Sequence, residues 1–160
     1  MVHLVKIDKS NVWDVIALRV AESQNDFVAE NSHSIIDAYV TIGTGCTAFP
    51  FGIYDDEKPV GFLMIGFNTT ALYEDNLDVM KNSYLLWRLM IDEKYQKQGY
   101  GREAVRLALE FIRMWPCGKA DYCVTTYEPE NTVAKRLYQS FGFEETGEKD
   151  EEEDVAVLKL

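Results

Sequence analysis

The feature that most constrains the fold of this chain is a nearly unbroken apolar run from Tyr84 to Ile91. Such a run, interrupted only by Arg88, predicts a central strand that is covered on both faces. A loop with two glycines, residues 96–101, comes next, and residues 100–114 then carry apolar side chains at helical spacing. Strand, glycine loop and amphipathic helix in this order predict a sheet with helices on its faces.

The remaining segments add strands and helices around this unit. Apolar alternation predicts strands at residues 2–7, 49–54, 60–68, 121–127, 143–147 and 155–160. Spacing and caps predict helices from Ser10 or Asn11 to residue 21, over 31–39 and over 131–140. Polar residues predict a hairpin turn at 55–58 and a loop that holds Glu74, Asp75 and Asp78. The order of elements predicts a single domain, residues 1–160, of the α/β class with a mixed sheet.

The chain carries 27 acidic and 16 basic side chains, a net charge of −11. This balance argues against a nucleic-acid partner, which requires a basic patch. It is compatible with a small cationic substrate, because an acidic cleft raises the local concentration of cations. Solubility alone is the alternative explanation. The acidic stretch at residues 148–154 is interpreted as a solvated turn.

Several other classes of protein are disfavoured by the sequence. No apolar run is long enough to cross a bilayer, and the first residues lack the layout of a signal peptide, so we expect a cytoplasmic protein with no membrane partner. The three cysteines form no CxxC pair and are interpreted as reduced structural thiols. His3 and His33 are too few and too far apart to indicate a metal site, and none is expected.

The glycine loop reads Gln96-x-x-Gly99-x-Gly101. Glycines let the backbone approach a ligand closely, and the helix that follows points its free N–H groups and positive dipole end at the loop. This arrangement predicts an anion site suited to a pyrophosphate. Residues 99–104 also satisfy the dinucleotide pattern G-x-G-x-x-A, but that pattern needs its first glycine at the strand end, and here residues 92–98 separate it from Ile91.

A second pattern, Asn131-x-x-Ala134-x-x-Leu137-Tyr138, falls on a predicted helix. Asn131 stands at the helix start as a cap, and Tyr138 lies two turns later on nearly the same face. On its own, Tyr138 is equally explained as a core tyrosine. With the glycine loop about thirty residues earlier, however, the chain resembles the GCN5-related N-acetyltransferase (GNAT) superfamily. That superfamily carries an (Arg/Gln)-x-x-Gly-x-(Gly/Ala) loop after its fourth strand and an Asn…Tyr helix after its fifth.

The resemblance implies a mostly antiparallel sheet splayed at strands 4 and 5, acetyl-CoA as cofactor, and direct attack by an amine without an enzyme nucleophile. It implies that main-chain groups of Leu89, Met90 and Ile91 contact the acetyl and pantetheine arm. It assigns the pyrophosphate to a set of loop residues: Gln96, Lys97, Gln98, Gly99, Tyr100, Gly101 and Arg102. It places Asn131 and Ala134 beside the pantetheine and makes Tyr138 the acid that protonates the departing thiolate.

Within the superfamily, residues 27–31 with Ser34 and Ile35, residues 86–92 and residues 127–131 resemble bacterial spermine/spermidine (diamine) N-acetyltransferases. Some polyamine acetyltransferases carry an acid midway along the fourth strand, where this chain has Trp87 and Arg88. The base is therefore expected to act through water, with Glu22, Glu30 and Glu128 as substrate-side candidates. Each of these acids is also explained as a solvated surface charge.

Several alternatives stay open at the level of sequence. The acceptor could instead be a protein N-terminus, a lysine, an aminoglycoside or an amino acid. A non-catalytic acyl-CoA-binding domain is a further alternative, although the presence of Tyr138 argues against it; a nicotinamide-dependent oxidoreductase rests only on the rejected dinucleotide pattern. The resemblance is compatible with a homodimer, for which Phe49, Phe51 and Phe67 are candidates to line either the core or the interface.

Overall fold

The computed structural model describes residues 1–69 and 77–160. Its strands are β1 (Val2–Lys6), β2 (Thr47–Asp55), β3 (Lys58–Phe67), β4 (Tyr84–Ile91), β5 (Tyr122–Tyr127), β6 (Glu144–Asp150) and β7 (Glu153–Lys159). Its α-helices are α1 (Val12–Ile16), α2 (Asn31–Gly43), α3 (Tyr100–Arg113) and α4 (Thr132–Gln139). The strands form one sheet in the order β1-β2-β3-β4-β5-β7-β6, antiparallel throughout except for the parallel pair β4–β5. The predicted mixed α/β class is confirmed.

The two faces of the sheet are covered by different helices. On one face, α3 buries the apolar stripe that its spacing predicts: Ala104, Val105, Ala108, Leu109 and Ile112. On the other face, α1 and α2 pack through Val15 and Ala38 against Phe62, Met64 and Met90. Removing each large apolar side chain from water contributes about 1.5–3 kcal/mol, so these contacts hold the central strands between two helical layers.

Strand β4 occupies the centre of the sheet as predicted, but it is not covered evenly. Ile65 pairs with Leu86 and Met64 pairs with Arg88, so the register skips Trp87 and leaves a bulge there. Tyr84, Leu86 and Met90 are buried, whereas the three residues between Leu86 and Met90 are only partly covered. The prediction that both faces are fully covered is therefore wrong after Leu86, because a cavity opens beside the strand there.

The parallel pair β4–β5 is the weakest junction of the sheet. Only Tyr84 with Cys123 and Leu85 with Val124 stand in register, and the strands then separate. The hydroxyl of Thr125 donates to the Leu86 carbonyl at 3.1 Å, which replaces a backbone bond at the point of separation. The expected splay between strands 4 and 5 is thus present, and it leaves backbone groups of both strands without ladder partners.

The first helix is shorter than predicted, since it ends at Ile16 instead of near Ala21. Beyond it, the Arg19 N–H donates to a carboxylate oxygen of Asp92 at 3.0 Å, and the Arg19 carbonyl accepts from the Glu93 N–H at 2.8 Å. These bonds tie the segment to the turn after β4 and take the place of helical hydrogen bonds.

Asn11 does not cap α1 as predicted. Its side chain accepts from the Asp8 N–H and donates to the Lys6 carbonyl, both at 2.9 Å, so it closes the turn between β1 and α1. Helix α2 is longer than predicted and continues to Gly43. Of the predicted loop after β3, Glu74 and Asp75 lie outside the described residues.

The structure also bears on the three phenylalanines, the cysteines and the question of a membrane-spanning helix. Phe49 and Phe51 pack edge-on against Phe111, and Phe67 packs against Tyr84, so all three phenylalanines contribute to the core of this chain. The cysteines are free, and burial raises the pKa of Cys123 to about 12, as expected for an unreactive thiol. Across residues 1–69 and 77–160, no helix has both the length and the apolar character that crossing a bilayer requires.

Candidate active site

A groove of about 340 Å³ lies between the end of β4, the glycine loop and α4. We call it the glycine-loop groove. Its walls are mostly apolar, and they include every residue predicted to contact the coenzyme except Gln98 and Arg102. The Gln98 amide donates to the Lys94 carbonyl at 3.2 Å, and Arg102 donates to the Ser140 hydroxyl at 2.8 Å. Both side chains are exposed beside the groove.

The glycine loop owes its shape to two left-handed residues. Lys97 has φ 62° and Gly99 has φ 89°, a conformation that glycine adopts without penalty. The Glu103 N–H donates to the Gly99 carbonyl at 3.1 Å and so begins the helical ladder of α3. The N–H groups of the preceding turn, including Tyr100 and Gly101, lie outside that ladder and point toward the loop. This is the geometry of a helix N-terminus that attracts phosphate.

Gln96 anchors the loop from its other end. Its side-chain amide donates to the Ile91 carbonyl at 3.0 Å and to the Gln24 side chain at 2.7 Å. The first bond ties the loop to the end of β4, and the second ties it to the segment before α2. Gln96 therefore fixes the loop relative to the groove walls.

The end of β4 presents backbone groups to the groove. The Asp92 N–H donates to the Val60 carbonyl of β3 at 2.9 Å. Because peptide groups alternate along a strand, those of Leu89 and Ile91 point the other way, into the splay, while those of Met90 point toward β3. The main-chain contacts predicted for Leu89 and for the Ile91 N–H are therefore sterically open, whereas the Ile91 carbonyl already accepts from the Gln96 amide. Met90 contributes to the groove as a lining residue.

Helix α4 closes the groove opposite β4. The Asn131 side chain accepts from the Ala134 N–H at 3.1 Å, so the predicted cap is present. Val133 is 72% exposed and lines the groove. Ala134 and Leu137 also line the groove, so this short helix presents a small, apolar wall.

Tyr138 lies at the inner end of the groove. It is 6% exposed and stacks on Tyr127 with ring centroids 5.8 Å apart. Burial raises the pKa of Tyr138 to about 12, although the Thr125 hydroxyl opposes this shift. The phenol therefore keeps its proton at neutral pH and has one to give.

A second cavity, of about 310 Å³, also has Tyr138 in its wall. We call it the Glu153 cavity. It is lined mostly by polar atoms from five parts of the chain: the segment before α2, β4, β5, α4 with its cap, and the start of β7. The two cavities share Phe27, Val28, Leu89, Asn131, Ala134 and Tyr138. The two cavities therefore adjoin at a shared wall that includes Tyr138.

The charged residues of the Glu153 cavity are Asp26, Arg88 and Glu153. The Arg88 guanidinium lies 3.7 Å from the Asp37 carboxylate of α2 and donates to the Trp87 carbonyl at 3.1 Å. The half-buried Glu153 accepts a short hydrogen bond from the Thr126 hydroxyl. Burial raises the pKa of the Glu153 carboxyl, and the positive charge of Arg88 works against that shift.

None of the three acids predicted from the sequence lines either cavity. Glu22 and Glu30 are exposed, and Glu128 is half-buried. Glu153 had been assigned to a solvated turn, and this interpretation is wrong because β7 begins at Glu153 itself. Alternation was the available signal: Glu153 shares a strand face with the buried Val155 two residues later.

Comparison with known proteins gives a consistent result. A model described as the acetyltransferase (GNAT) family matches residues 10–143. The spermine/spermidine N(1)-acetyltransferase of Bacillus subtilis is 29% identical over 161 residues, which cover 99% of this chain and 97% of the relative. A spermidine N-acetyltransferase from Vibrio cholerae, solved with CoA and spermine, superposes with a TM-score of 0.69 at 16% identity, over 99% of this chain and 94% of the other.

An aminoglycoside acetyltransferase, AAC(6')-Ib, solved with coenzyme A and kanamycin, superposes with a TM-score of 0.74 at 15% identity, covering 99% of this chain and 95% of the other. Identities this low establish a shared fold and do not choose between a polyamine and an aminoglycoside.

Proposed function

The chain belongs to the GNAT family of acetyltransferases, and we propose that it transfers the acetyl group of acetyl-CoA to a primary amine of a polyamine such as spermine or spermidine. The observation that carries this proposal is the meeting of two cavities beside Tyr138. One cavity suits an anionic, extended coenzyme, and the other suits a cation. All seven strands lie in one sheet, which supports a single catalytic domain over residues 1–160.

The glycine-loop groove fits acetyl-CoA by its chemistry. The left-handed Gly99 and the first turn of α3 form a cradle for the pyrophosphate. The outward-facing peptide groups of Leu89 and Ile91 suit the amide-bearing pantetheine, which binds as an extended chain along the open edge of β4. When bound there, acetyl-CoA supplies the activated acetyl group, and a β4 N–H can stabilise negative charge that develops on its carbonyl oxygen.

Tyr138 suits the role of acid at the junction. A thiol has a reference pKa of about 8.5 and a phenol about 10. Because burial raises the pKa of Tyr138 further, to about 12, the phenol is protonated whenever a thiolate begins to leave. A positioned acid of this kind contributes about 10²–10⁴-fold to a rate.

The Glu153 cavity favours a cationic acceptor. Asp26 stands exposed at its mouth and Glu153 stands within it, and the whole chain carries a net charge of −11. An acidic cleft concentrates cations and speeds their encounter. The relatives named as spermine and spermidine acetyltransferases support a polyamine over other cations.

The test is thiol release from acetyl-CoA with a panel of acceptors: spermine, spermidine, putrescine, lysine, kanamycin and a peptide with a free N-terminus. We expect the highest kcat/KM with spermine or spermidine, and mass spectrometry of the product should show one added acetyl group on nitrogen. Turnover of another amine, with none of the polyamines acetylated, would reject the polyamine proposal and leave the acetyltransferase activity standing.

A further inference from the structure

The Glu153 cavity contains a carboxylate, Glu153, that has no role in the steps described so far. We propose that Glu153 accepts the proton that the incoming ammonium group must lose, with Arg88 as the neighbouring cation that balances its charge. The inference rests on the proposed function, because it concerns the amine acceptor of the same reaction. It assigns the base to β7, a strand that the sequence placed outside the active site.

Need for a base follows from the chemistry of the acceptor. An alkyl amine has a reference pKa of about 10.4, so at pH 7 only about one molecule in 2,500 carries the free electron pair that attacks a carbonyl carbon. Tyr138 is protonated and cannot accept a further proton. The group that accepts the proton must therefore be another residue of the acceptor cavity.

Glu153 is the carboxylate best placed for this task. It is the first residue of β7, and its side chain reaches across to β5, where the Thr126 hydroxyl donates to Oε2. This bond fixes the orientation of the carboxylate. Asp26, the other acid of the cavity wall, is exposed at the mouth and carries no hydrogen bond that orients it among the described residues.

The charged surroundings of Glu153 balance one another. The titratable groups that face it are Arg88 from β4, Tyr138 from α4, Glu128 after β5 and Asp150 from β6. Burial is the main cause that raises the pKa of Glu153, and the two acids add to it, while the Thr126 hydrogen bond and the charge of Arg88 lower it. A carboxylate whose pKa is raised is a stronger base than an exposed glutamate.

The proposed step is balanced in atoms and charge. The ammonium gives one proton to the Glu153 carboxylate, directly or through a water, and becomes the free amine. The amine nitrogen then forms a bond to the acetyl carbon while the C–S bond breaks. The sulfur takes the Tyr138 proton, and the second nitrogen proton returns to the Tyr138 phenolate. Glu153 finally releases its proton to solvent, so the products are an N-acetyl amine, coenzyme A thiol and one proton.

The decisive variant is Glu153→Gln, whose amide oxygen still accepts from Thr126. With spermidine as acceptor, we expect kcat/KM to fall about 100-fold at pH 7, within the range for loss of a general base. We expect the ratio of wild-type to variant kcat/KM to fall about tenfold for each pH unit between 7 and 9. The reason is that the free-amine fraction rises tenfold per pH unit. A residue that only shapes the cavity or attracts the cation would leave a gap that does not close with pH.

The matched control is Glu152→Gln, the same change on the exposed neighbouring residue. It should retain wild-type kcat/KM at every pH. Thermal unfolding of both variants shows whether Glu153→Gln is folded, and Glu153→Asp, which keeps the charge but withdraws it by one carbon, should recover part of the activity. If the fold is lost in the Gln variant, the Asp variant decides, since its pH profile should keep the wild-type shape at reduced rate.

A second measurement does not depend on turnover. Carbon NMR of protein labelled at glutamate carboxyls gives the Glu153 titration directly, because Glu153→Gln removes its signal. We expect Arg88→Met to move that titration to higher pH and to move the acidic limb of kcat/KM with it.

The inference is overturned if Glu153→Gln shows a constant deficit from pH 7 to 9, or if Arg88→Met moves neither the titration nor the limb. These outcomes differ from failure of the proposed function, in which the wild-type protein itself acetylates no polyamine.

Discussion

The two cavities that meet at Tyr138 differ in whether main-chain or side-chain groups form them. In the glycine-loop groove, the groups that suit the polar parts of the coenzyme belong to the main chain: a left-handed glycine, a helix N-terminus and the open edge of β4. The Glu153 cavity is formed by side chains from five separate segments. A site made of main chain depends on backbone conformation and tolerates many side chains. A site made of side chains depends on the identity of a few residues and on the tertiary fold that gathers them.

The shared wall gives the strongest test of this division. Tyr138→Phe should lower kcat about 100-fold although both cavities remain intact, because it removes the proton that the leaving thiolate takes. The acetyl-CoA Kd, measured by calorimetry, should stay unchanged. Tyr122→Phe, on a more exposed tyrosine, is the matched control. Equal kcat in the Tyr138 variant would remove this residue from the reaction.

The same residue predicts a pH limit. Since burial raises the pKa of Tyr138 to about 12, its proton is retained as pH rises through the range in which an ordinary phenol near 10 would lose it. Wild-type kcat should therefore show no alkaline decline between pH 8 and 10, and an early decline there would contradict the assignment.

The groove should respond to backbone changes. Gly99→Val places a branched side chain at φ 89°, a conformation that costs an L-residue about 1–2 kcal/mol. We expect the KM for acetyl-CoA to rise about tenfold, which corresponds to about 1.4 kcal/mol, with kcat little changed. Gly101→Ala is the control, because its added carbon would lie 3.7 Å from the Leu137 side chain, an ordinary contact. Equal effects of both variants would show that the left-handed residue does not matter.

A change at the point where β4 and β5 separate should lower the stability of the fold. Thr125→Val keeps the shape of a fully buried side chain but removes its bond to the Leu86 carbonyl. We expect the free energy of unfolding to fall by about 1–2 kcal/mol, since a buried carbonyl loses its partner. Urea unfolding measures this, with the exposed Thr132→Val as control. No difference between the two variants would mean that another group replaces the lost donor.

The mouth of the Glu153 cavity should give the smallest effect. Asp26→Asn removes an exposed charge and should lower kcat/KM for spermidine about threefold at low salt, with the difference shrinking as salt screens the charge. Glu57→Gln, in the β2–β3 turn and outside the lining of the Glu153 cavity, changes net charge equally and serves as control. If Glu30→Gln had the larger effect, the acids predicted from sequence would be the better guide to the substrate path.

The same difference between main-chain and side-chain sites explains how well the sequence predicts each of them. The groove could be anticipated because its parts are local: a loop and the helix that follows it, then a cap with its tyrosine two turns later, each a short stretch with its own spacing. The sheet could be anticipated from alternation, with bounds wrong by a few residues. Helix α1 ended early because Asp92, far along the chain, takes the Arg19 N–H, and no local pattern records that contact.

The Glu153 cavity could not be anticipated, since residues near positions 26, 88, 126 and 153 converge only in the folded chain. Glu153 stands in an acidic run whose composition indicates a surface turn. Its inward position depends on β7 beginning two residues earlier than its apolar residues suggest. Arg88 is the one charged residue of an otherwise apolar strand. The bulge at Trp87 turns that part of β4 toward the cavity.

The splay between β4 and β5 has a mechanical consequence. With only two residue pairs in register there, the sheet consists of two leaves, β1–β4 and β5–β7, joined at one corner. An extended ligand that carries amide groups and lies along the gap would join the two leaves. We expect amide hydrogen exchange at Leu89 and Ile91 to slow when coenzyme A binds, and thermal unfolding to shift upward as the leaves begin to open together.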